Sequence, residues 1–546
     1  MTIRTVLAGL FALLAASILA SCNTARQAPE VIAKITVSPT ETGLSAAYAL
    51  PGPSTRFPFR DSAGDIRTEG WTTTAPGATL EAAALTFAAP LSGFEIAVKP
   101  DTRQRDRIYP ALTPIGDGWL IYAPHLLPAQ VAGLGFVVDF KLPAGWTVIG
   151  HREKDDELAL DGWVFIGPEA YVERGKTNVV TAPDTPTWLR EKVLTAANDS
   201  AALYASRLGV ELTSKPGIII AHFPKERGDG MRGDVTAGAM VSVRFFGEAW
   251  GKTSSNDADQ VVEFLAHETF HFWNGDLVDS AENGERPWLH EGGASYAALL
   301  ALDPTPAPDS TVLLKGINEN LSKCQVVLKE DQSLMTADLR GGDAPYACGV
   351  ALQWAWDAGL RTSSGNKRDV LTLWKDVIAE ALRGNREYSV ASTVRLVPQD
   401  AGKAADVLLN KVGADRWTTF ADAMRGYGAE LSPTRSVDED RAAALMHVLG
   451  QHCNGQRGFY TRTAHLELDT GDRCGPLNGD KAIDAVAGHD VMKDVSAMYD
   501  RVQVICAAGG VIEFSRNKAV VASASCTKPL QAPTMYLKVT RAFAAP

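Results

Sequence analysis

The pattern of apolar and polar residues in the first part of the chain predicts β-structure. Apolar residues alternate with polar or small ones in GFEIAVKP (93–100), and DGWLIYAP (117–124) begins with a turn-forming Asp-Gly pair. GFVVDFKLPAGWTVIG (135–150) continues with β-branched runs separated by proline and glycine. Period-two alternation between turn residues is typical of strands with one buried face. We therefore predict a β-sandwich-like domain over residues 22–183.

Helical spacing replaces this alternation from Thr185-Pro186 onward, because a capping residue followed by proline opens a long helical stretch. GIIIAHF (217–223) has the composition of a short buried strand, and apolar residues then recur at helical spacing from about 257 to 428. These patterns predict a domain over 184–440 that is mixed α/β and then mostly α. Residues 441–546 become β-rich again, so a small C-terminal domain completes a multidomain α+β chain.

The first residues, MTIRTVLAGLFALLAASILASC, have the layout of a secretory signal peptide. One arginine precedes an apolar run that ends in small residues and is too short to favour a permanent membrane span. The last four residues, 19–22, resemble a bacterial lipobox, which implies removal of 1–21 and a lipid on Cys22. An ordinary signal peptide with an incidental cysteine is the alternative. Asn23 favours the outer membrane, so we expect an envelope lipoprotein facing the periplasm.

Six cysteines remain after Cys22, and their even number in an exported chain favours disulfide bonds over thiol chemistry. Sequential pairing would close three short loops. The predicted bonds are Cys324–Cys348, Cys453–Cys474 and Cys506–Cys526.

The overall composition restricts the partners of the protein. The 546 residues are 45% hydrophobic and 21% charged, which is ordinary for globular domains. A formal net charge of -11 and the absence of any Lys/Arg run exclude a nucleic-acid footprint. We expect peptide or protein substrates and membrane contact only through the N-terminal lipid; no pattern predicts an oligomeric state.

The stretch FLAHETFHFWNGDLV (264–278) predicts a metal-binding helix. His267 and His271 are four residues apart and so share one helix face, with about 5–6 Å between their Cβ atoms. Two imidazoles in this arrangement reach one Zn²⁺ at about 2.0–2.1 Å, and Glu268, offset around the helix, is placed to act as a general base. Alternatively, both histidines are ordinary core residues, since this motif arises by chance in roughly one such chain in a hundred.

A third ligand follows in RPWLHEGGASYAALLAL (286–302). Pro287 can begin a second helix, and Glu291 lies one turn inside it. Packing of the two helices would complete a His₂Glu set, which in hydrolytic zinc sites leaves one position open for water. A first-turn glutamate favoured by the helix dipole is the alternative reading of Glu291.

These segments resemble the aminopeptidase N family of gluzincin metallopeptidases. HETFHFWNGDLV is similar to its HExxHxWxGNLV segment, and WLHEGGASY to its WLNEGFASY segment. The HFWN tetrapeptide also resembles the related glycyl aminopeptidase family, which often carries HxWN and a C-terminal PDZ domain. The resemblance implies a thermolysin-like domain, one Zn²⁺ bound by His267, His271 and Glu291, and Glu268 as the base.

The resemblance also implies a substrate strand and an oxyanion donor. Gly238, Ala239 and Met240 match the GAMEN strand that lines the substrate cleft, but Val241 replaces the glutamate that binds the free α-amine. Either a loop carboxylate such as Glu282 or Glu285 serves instead, or the enzyme needs no free N-terminus and is an endopeptidase.

Tyr346 and Gly349 match the family's Y-x-x-G, which makes Tyr346 the expected hydrogen-bond donor to the oxyanion. The alternative for Tyr346 is a core aromatic residue.

The C-terminal segment resembles a PDZ domain in the order of its elements. Gly479-Asp480, Ile483, Val486 and Gly488 follow the GD-x-I-x-x-V-x-G pattern with one extra residue. An unrelated small disulfide-stapled β-domain fits these residues equally well. The expectation is therefore an exported, lipid-anchored, aminopeptidase-like zinc metallopeptidase, with an endopeptidase or a non-catalytic peptide-binding lipoprotein as alternatives.

Overall fold

A computed structural model describes residues 30–61, 63–102, 109–129, 134–150, 162–212, 215–226, 230–236, 240–252, 255–455, 457–462, 464–479 and 481–545. These residues divide into two compact units. The first contains those up to Asn198 and those within 213–261, and the second contains 199–212 and everything from Val262 onward. The predicted signal segment and Cys22 lie outside the described residues. No helix among the described ranges has the length and apolar composition needed to cross a bilayer.

The N-terminal part of the first unit consists of two sheets around one hydrophobic core. Its elements are β1 (Glu30–Thr40), β2 (Gly43–Pro58), α1 (Asp65–Gly70), β3 (Trp71–Thr73), β4 (Ala78–Leu80), β5 (Ala84–Val98), β6 (Leu112–Ile115), β7 (Gly118–Tyr122), β8 (Leu134–Phe140), β9 (Trp146–Ile149) and β10 (Trp163–Pro168). The sheet orders are β3-β5-β2-β1-β8, with β4 on β5, and β6-β7-β10-β9. Ile35 and Ile96 of one sheet share a buried cluster with Ile121 and Val164 of the other. The predicted β-sandwich-like arrangement is confirmed.

The alternation predicted for 93–100 sets the register of this core. Phe94, Ile96 and Val98 of β5 are buried, and the residues between them are exposed. Each of the three pairs with a buried residue of β2, so one face of the hairpin is apolar. A one-residue slip would turn this whole face to solvent.

A mixed sheet completes the first unit. Its elements are β11 (Val172–Arg174), β12 (Asn178–Thr181), α2 (Thr187–Leu208, up to Asn198), β13 (Gly217–Phe223), β14 (Gly230–Thr236) and β15 (Met240–Phe246). The order is β11-β12-β13-β15-β14, with β12, β13 and β15 parallel and β14 antiparallel to β15. Strand β13 coincides with the predicted strand GIIIAHF. Helix α2 ends before Gly209, whose φ of 67° is the left-handed conformation that ends helices.

The second unit is mainly helical, as its sequence predicts. Its helices up to residue 426 are α3 (Ser255–His271, from Val262 onward), α4 (Pro287–Leu302), α5 (Thr311–Val327), α6 (Ala344–Ser364), α7 (Val370–Arg383), α8 (Val390–Leu396), α9 (Lys403–Asn410) and α10 (Arg416–Gly426). Helix α6 is buried along most of its length, and α4 and α5 pack against it. Asp369 closes a capping box at the start of α7, which fixes where that helix begins. Two short strands, β16 (Asp279–Ser280) and β17 (Glu387–Tyr388), pair in parallel.

The C-terminal segment combines small sheets with two helices. Its elements are β18 (Glu430–Arg435), α11 (Val437–His452), β19 (Arg457–Thr461), β20 (Leu466–Thr470), β21 (Lys481–Ile483), β22 (Ala485–Val486), β23 (His489–Asp490), α12 (Val495–Ala507), β24 (Val511–Arg516), β25 (Ala519–Ser525) and β26 (Met535–Arg541). The boundary predicted at residue 440 falls inside α11, which packs on α12 and β19. Leu445 and Val448 of α11 join Met498 and Val502 of α12 in one core. Asp480 of the PDZ-like pattern lies outside the described residues, and the PDZ assignment stays a prediction.

The last strand, β26, is hydrogen-bonded to helix α5. Strand β26 pairs with β18, and the Asn318 side chain of α5 bonds both the N–H and the C=O of Val539. The three disulfides join the predicted pairs: Cys324–Cys348, Cys453–Cys474 and Cys506–Cys526. The first of them links α5 to α6.

Candidate metal centre

The end of α3 carries the first two predicted ligands. Helical spacing places His267 and His271 on one face, and their Nε2 atoms lie 3.1 Å apart. Helix α3 ends at His271 and continues as a π-helical turn over Phe272–Leu277. Such turns are rare and occur mostly at functional sites, because they redirect side chains. Here the turn brings Asn274 back against His271, with Asn274 Oδ1 2.9 Å from His271 Nδ1.

Helix α4 supplies the third predicted ligand. Pro287 is its first residue, so Glu291 lies one turn inside it, as the sequence predicts. Glu291 Oε2 is 3.3 Å from His267 Nε2 and 3.5 Å from His271 Nε2. Three potential ligand atoms, from two helices separated by a loop, therefore face one point.

The spacing of these atoms fits a tetrahedral zinc site. Ligands about 2.0–2.1 Å from a tetrahedral centre lie roughly 3.3–3.4 Å from one another. The three observed separations, 3.1, 3.3 and 3.5 Å, bracket that value. Two imidazole nitrogens and one carboxylate are also the donor set of hydrolytic zinc centres, and three protein ligands leave a fourth position open. The residues therefore fit a Zn²⁺ ion.

The outer nitrogens of both imidazoles have partners that hold the rings in place. His267 Nδ1 lies 3.1 Å from the hydroxyl oxygen of Ser295, which is one turn after Glu291 on α4. Asn274 holds His271 in the same way. Metal-binding histidines typically have such a partner on the nitrogen that faces away from the metal.

The electrostatics of the cluster also suit a cation. Burial alone would raise the pKa of Glu291, but hydrogen bonds and charges from His267 and His271 hold it far below the usual carboxyl range. Burial lowers the pKa of His271, while Glu291, Glu268 and Asn274 together raise it above its ordinary value. Glu291 is therefore ionised at neutral pH, and its charge would favour a bound cation.

The predicted base and oxyanion donor lie beside the three ligands. Glu268 directly follows the ligand His267 on α3 and is 8% exposed, and its charge raises the pKa of both His271 and Tyr346. The Tyr346 ring lies 5.8 Å from the His267 ring, and the residue is 40% exposed. Burial and then the charges of Glu291 and Glu268 raise the pKa of Tyr346 to about 12. The phenol therefore keeps its proton at neutral pH and can donate a hydrogen bond.

The predicted substrate strand belongs to the first unit. Gly238 and Ala239 lie outside the described residues. Met240 is in the core, with its side chain packed against Gly217 and Gly150. Val241, the second residue of β15, is 0% exposed and lies between Ile218 of β13 and Val235 of β14. The Val241 side chain therefore points into the protein interior, and the roles of 238–240 in substrate binding stay predictions.

The loop before Glu291 offered two carboxylates as substitutes for the missing glutamate. Both oxygens of Glu282 are engaged: one accepts from Arg286 Nη1 at 2.6 Å and the other from the Val390 N–H at 2.8 Å. Glu282 thus ties the loop to the start of α8. Glu285 is exposed in the same loop.

Two other features of the second unit do not belong to this centre. A cavity of about 910 Å³ has Glu282, Trp356 and Leu409 in its lining, but none of the three predicted ligands, Glu268 or Tyr346. His447, Cys506 and Cys526 also lie within ligand distance of one another, but both cysteines are bonded in a disulfide. A disulfide has no thiolate to bind a metal, so this cluster is not a thiolate site.

Fold and side chains together define a mixed α/β, multidomain protein with a His₂Glu centre on two helices. No protein-family model matches the sequence, and no curated protein matches it either. Among solved structures, it is similar to an aminopeptidase N family protein from Idiomarina loihiensis, with a TM-score of 0.61, 11% identity and coverage of 93% of this chain and 98% of that chain. The chain therefore has the fold of an aminopeptidase N family protein, with N-terminal sheets and a helical C-terminal region.

Two further solved structures match at lower TM-scores. Aminopeptidase A of Legionella pneumophila, solved with aspartic acid, matches at 0.40 and 10% identity, covering 83% of this chain and 55% of that chain. Leukotriene A4 hydrolase from Saccharomyces cerevisiae matches at 0.41 and 11% identity, covering 78% and 73%.

Proposed function

We propose that this protein is a zinc metallopeptidase that hydrolyses peptide bonds. The observation that carries the proposal is the convergence of His267, His271 and Glu291 at separations of 3.1–3.5 Å, beside Glu268 and Tyr346. A Zn²⁺ ion bound there would supply Lewis acidity, which polarises a carbonyl and makes water acidic. The fold similarity agrees with this function.

The residues of the chain divide the chemistry between them. Glu268 takes a proton from the attacking water as the water oxygen bonds to the peptide carbon. Tyr346 donates a hydrogen bond to the oxyanion that develops on the former carbonyl oxygen. When the C–N bond breaks, Glu268 passes the proton to the leaving amine, so the base is restored. Ser295 and Asn274 hold the two imidazoles throughout.

The Glu268→Ala variant tests the proposal. Glu268 is not a ligand, so zinc content should stay at one ion per chain while peptide turnover falls below detection. Glu263→Ala is the matched control, since Glu263 is an exposed carboxylate on the same helix. Undiminished turnover in Glu268→Ala would refute the mechanism. Bound zinc without peptide turnover in the unaltered protein would favour the non-catalytic lipoprotein, in which the metal is structural.

A second candidate function is endopeptidase activity on the same centre. The buried, apolar Val241 favours it, because valine cannot bind an ammonium group and Glu282 is engaged elsewhere. A panel of peptides with free and acetylated N-termini distinguishes aminopeptidase from endopeptidase activity. An aminopeptidase fails on every acetylated peptide, whereas an endopeptidase cleaves both sets internally.

We also propose that the protein is exported and held at the outer membrane by a lipid on Cys22. The signal-like segment and the lipobox-like residues 19–22 support this, and so do the three disulfides, which persist in oxidising compartments. Labelling with radioactive palmitate, compared between the unaltered chain and Cys22→Ser, tests the anchor. Equal labelling of the two proteins would refute it.

A further inference from the structure

Three residues around His271 form a hydrogen-bonded set that the proposed reaction does not use directly. Asn274 Nδ2 donates to the carbonyl oxygen of His290 at 3.0 Å, which ties the π-helical turn to α4. The Tyr388 hydroxyl donates to the carbonyl oxygen of Asn274 at 2.9 Å. His290 Nδ1 lies 3.1 Å from that same carbonyl and 3.0 Å from the Tyr388 oxygen. All of these groups are buried.

The direction of these bonds fixes the orientation of the Asn274 amide. The carbonyl of His290 can only accept, so the NH₂ group of Asn274 must face it. The amide oxygen of Asn274 therefore faces His271 Nδ1, and it too can only accept. Nδ1 of His271 must carry the proton, which leaves a lone pair on Nε2, the nitrogen that faces Glu291 and His267.

The His290 ring restrains the His271 ring from one side. The two rings are stacked, with centroids 4.3 Å apart and planes inclined by 16°. Gly275 allows this approach, because a Cβ on Gly275 would lie 3.1 Å from Cε1 of His290. Ser295, by contrast, can donate or accept, so it holds His267 without selecting a tautomer. The two imidazoles are thus restrained by different means.

We propose that Asn274, His290 and Tyr388 are positioning residues that fix the tautomer and ring plane of His271 for zinc binding. This inference rests on the proposed function, because it takes His271 as a zinc ligand. Of the three residues, Tyr388 acts on His271 indirectly, by donating a hydrogen bond from β17 to the Asn274 carbonyl oxygen. The pairing of β17 with β16 holds β17 beside the π-helical turn.

Zinc dissociation constants, measured by chelator competition, test the proposal without using peptide turnover. Asn274→Ala removes the acceptor, and we expect affinity to fall about 10–100-fold. Asn274→Asp restores an acceptor for the Nδ1 proton and should recover most of that loss. Tyr388→Phe removes one hydroxyl from a buried ring and should weaken zinc binding to a smaller extent.

Asn318→Ala is the control, because it removes two part-buried hydrogen bonds to Val539 in the same unit and alters no predicted site residue. It should lower the melting temperature of the zinc-free protein and leave zinc affinity unchanged. Unaltered zinc affinity in a folded Asn274→Ala protein, or an Asn274→Asp protein as weak as Asn274→Ala, would overturn the proposal. An unaltered protein that binds zinc but cleaves no peptide would overturn the proposed function alone, and one that binds no zinc would overturn both.

Discussion

Gly292 and Gly349 are in contact where helices α4 and α6 cross. A Cβ on Gly292 would lie 2.2 Å from Cα of Gly349, and a Cβ on Gly349 would lie 2.2 Å from the carbonyl oxygen of Trp288. Gly292 directly follows Glu291, and Gly349 lies one turn after Tyr346. The two glycines therefore set how closely the carboxylate ligand and the phenol approach each other. The close contact of the two helices gives a physical reason for the glycine directly after Glu291 and for the glycine three residues after Tyr346.

Gly349→Ala should separate the two helices. Alanine is favoured over glycine within a helix by about 1 kcal/mol, but a methyl group here meets backbone on α4, and overpacking costs about 3 kcal/mol. We expect a lower melting temperature and a reduced kcat/KM, since Tyr346 moves away from Glu291. Gly341→Ala is the control, because its added Cβ meets no atom within 4 Å. Equal stability and activity of the two variants would show that the helix contact is not tight.

Tyr346→Phe should separate catalysis from stability. The phenol is 40% exposed and contributes no ligand atom, so zinc content and melting temperature should not change. Loss of one oxyanion donor typically lowers kcat about 10²–10³-fold. Tyr460→Phe, at an exposed tyrosine of the C-terminal segment, should have no effect on kcat. A Tyr346→Phe enzyme with unchanged kcat would assign Tyr346 a packing role only.

Local sequence patterns predicted the features that depend on local geometry. A short apolar run located β13, period-two alternation located the buried face of β5, and helical spacing placed His267 and His271 on one face. Sequential cysteine pairing was right because each bond closes a loop of 20 to 24 residues. The pairing of Glu291 with these histidines needed an assumption about helix packing, and the structure brings the three together.

Contacts between distant segments could not be predicted in this way. Tyr388 lies 98 positions from His290, and two-residue strands such as β17 carry no periodicity to recognise. Strand β26 pairs with β18 across about a hundred residues of sequence. No local sequence pattern indicates that the Asn318 side chain hydrogen-bonds to β26. Asn274 was visible in HFWN, but its bond to His271 depends on a π-helical turn that spacing rules for α-helices do not include.

Removal of the Cys324–Cys348 bond should affect both stability and activity. A loop of 24 residues closed by a disulfide contributes about 3 kcal/mol to the free energy of unfolding. Because the bond ties α5 to α6 two residues from Tyr346, Cys324→Ala/Cys348→Ala should also lower kcat. The Cys506→Ala/Cys526→Ala pair is the control, since its loop of 20 residues is similar in length but lies in the C-terminal segment. Urea unfolding and peptide turnover check the two effects; equal kcat in both double variants would contradict the predicted effect on activity.

His125 should make the first unit less stable in mild acid. It is buried, its Nε2 lies 3.0 Å from the carbonyl oxygen of Tyr109, and its ring contacts Tyr122. Burial lowers the pKa of His125 from 6.5 to about 4; the Tyr109 carbonyl and Asp61 oppose this, and Arg67 assists it. The unfolded chain therefore binds a proton in a pH range where the folded chain does not.

The sign of the pH effect follows from this difference. The contribution of His125 to the free energy of unfolding is unchanged above pH 6.5 and falls as the pH drops from 6.5. It levels off below about pH 4, where His125 is also protonated in the folded protein. The full loss is up to about 3 kcal/mol. His125→Gln keeps an N–H for the Tyr109 carbonyl but cannot titrate, so its free energy of unfolding in urea should decline less steeply over this range. Parallel curves for the two proteins would show that His125 titrates normally and is not the source of acid sensitivity.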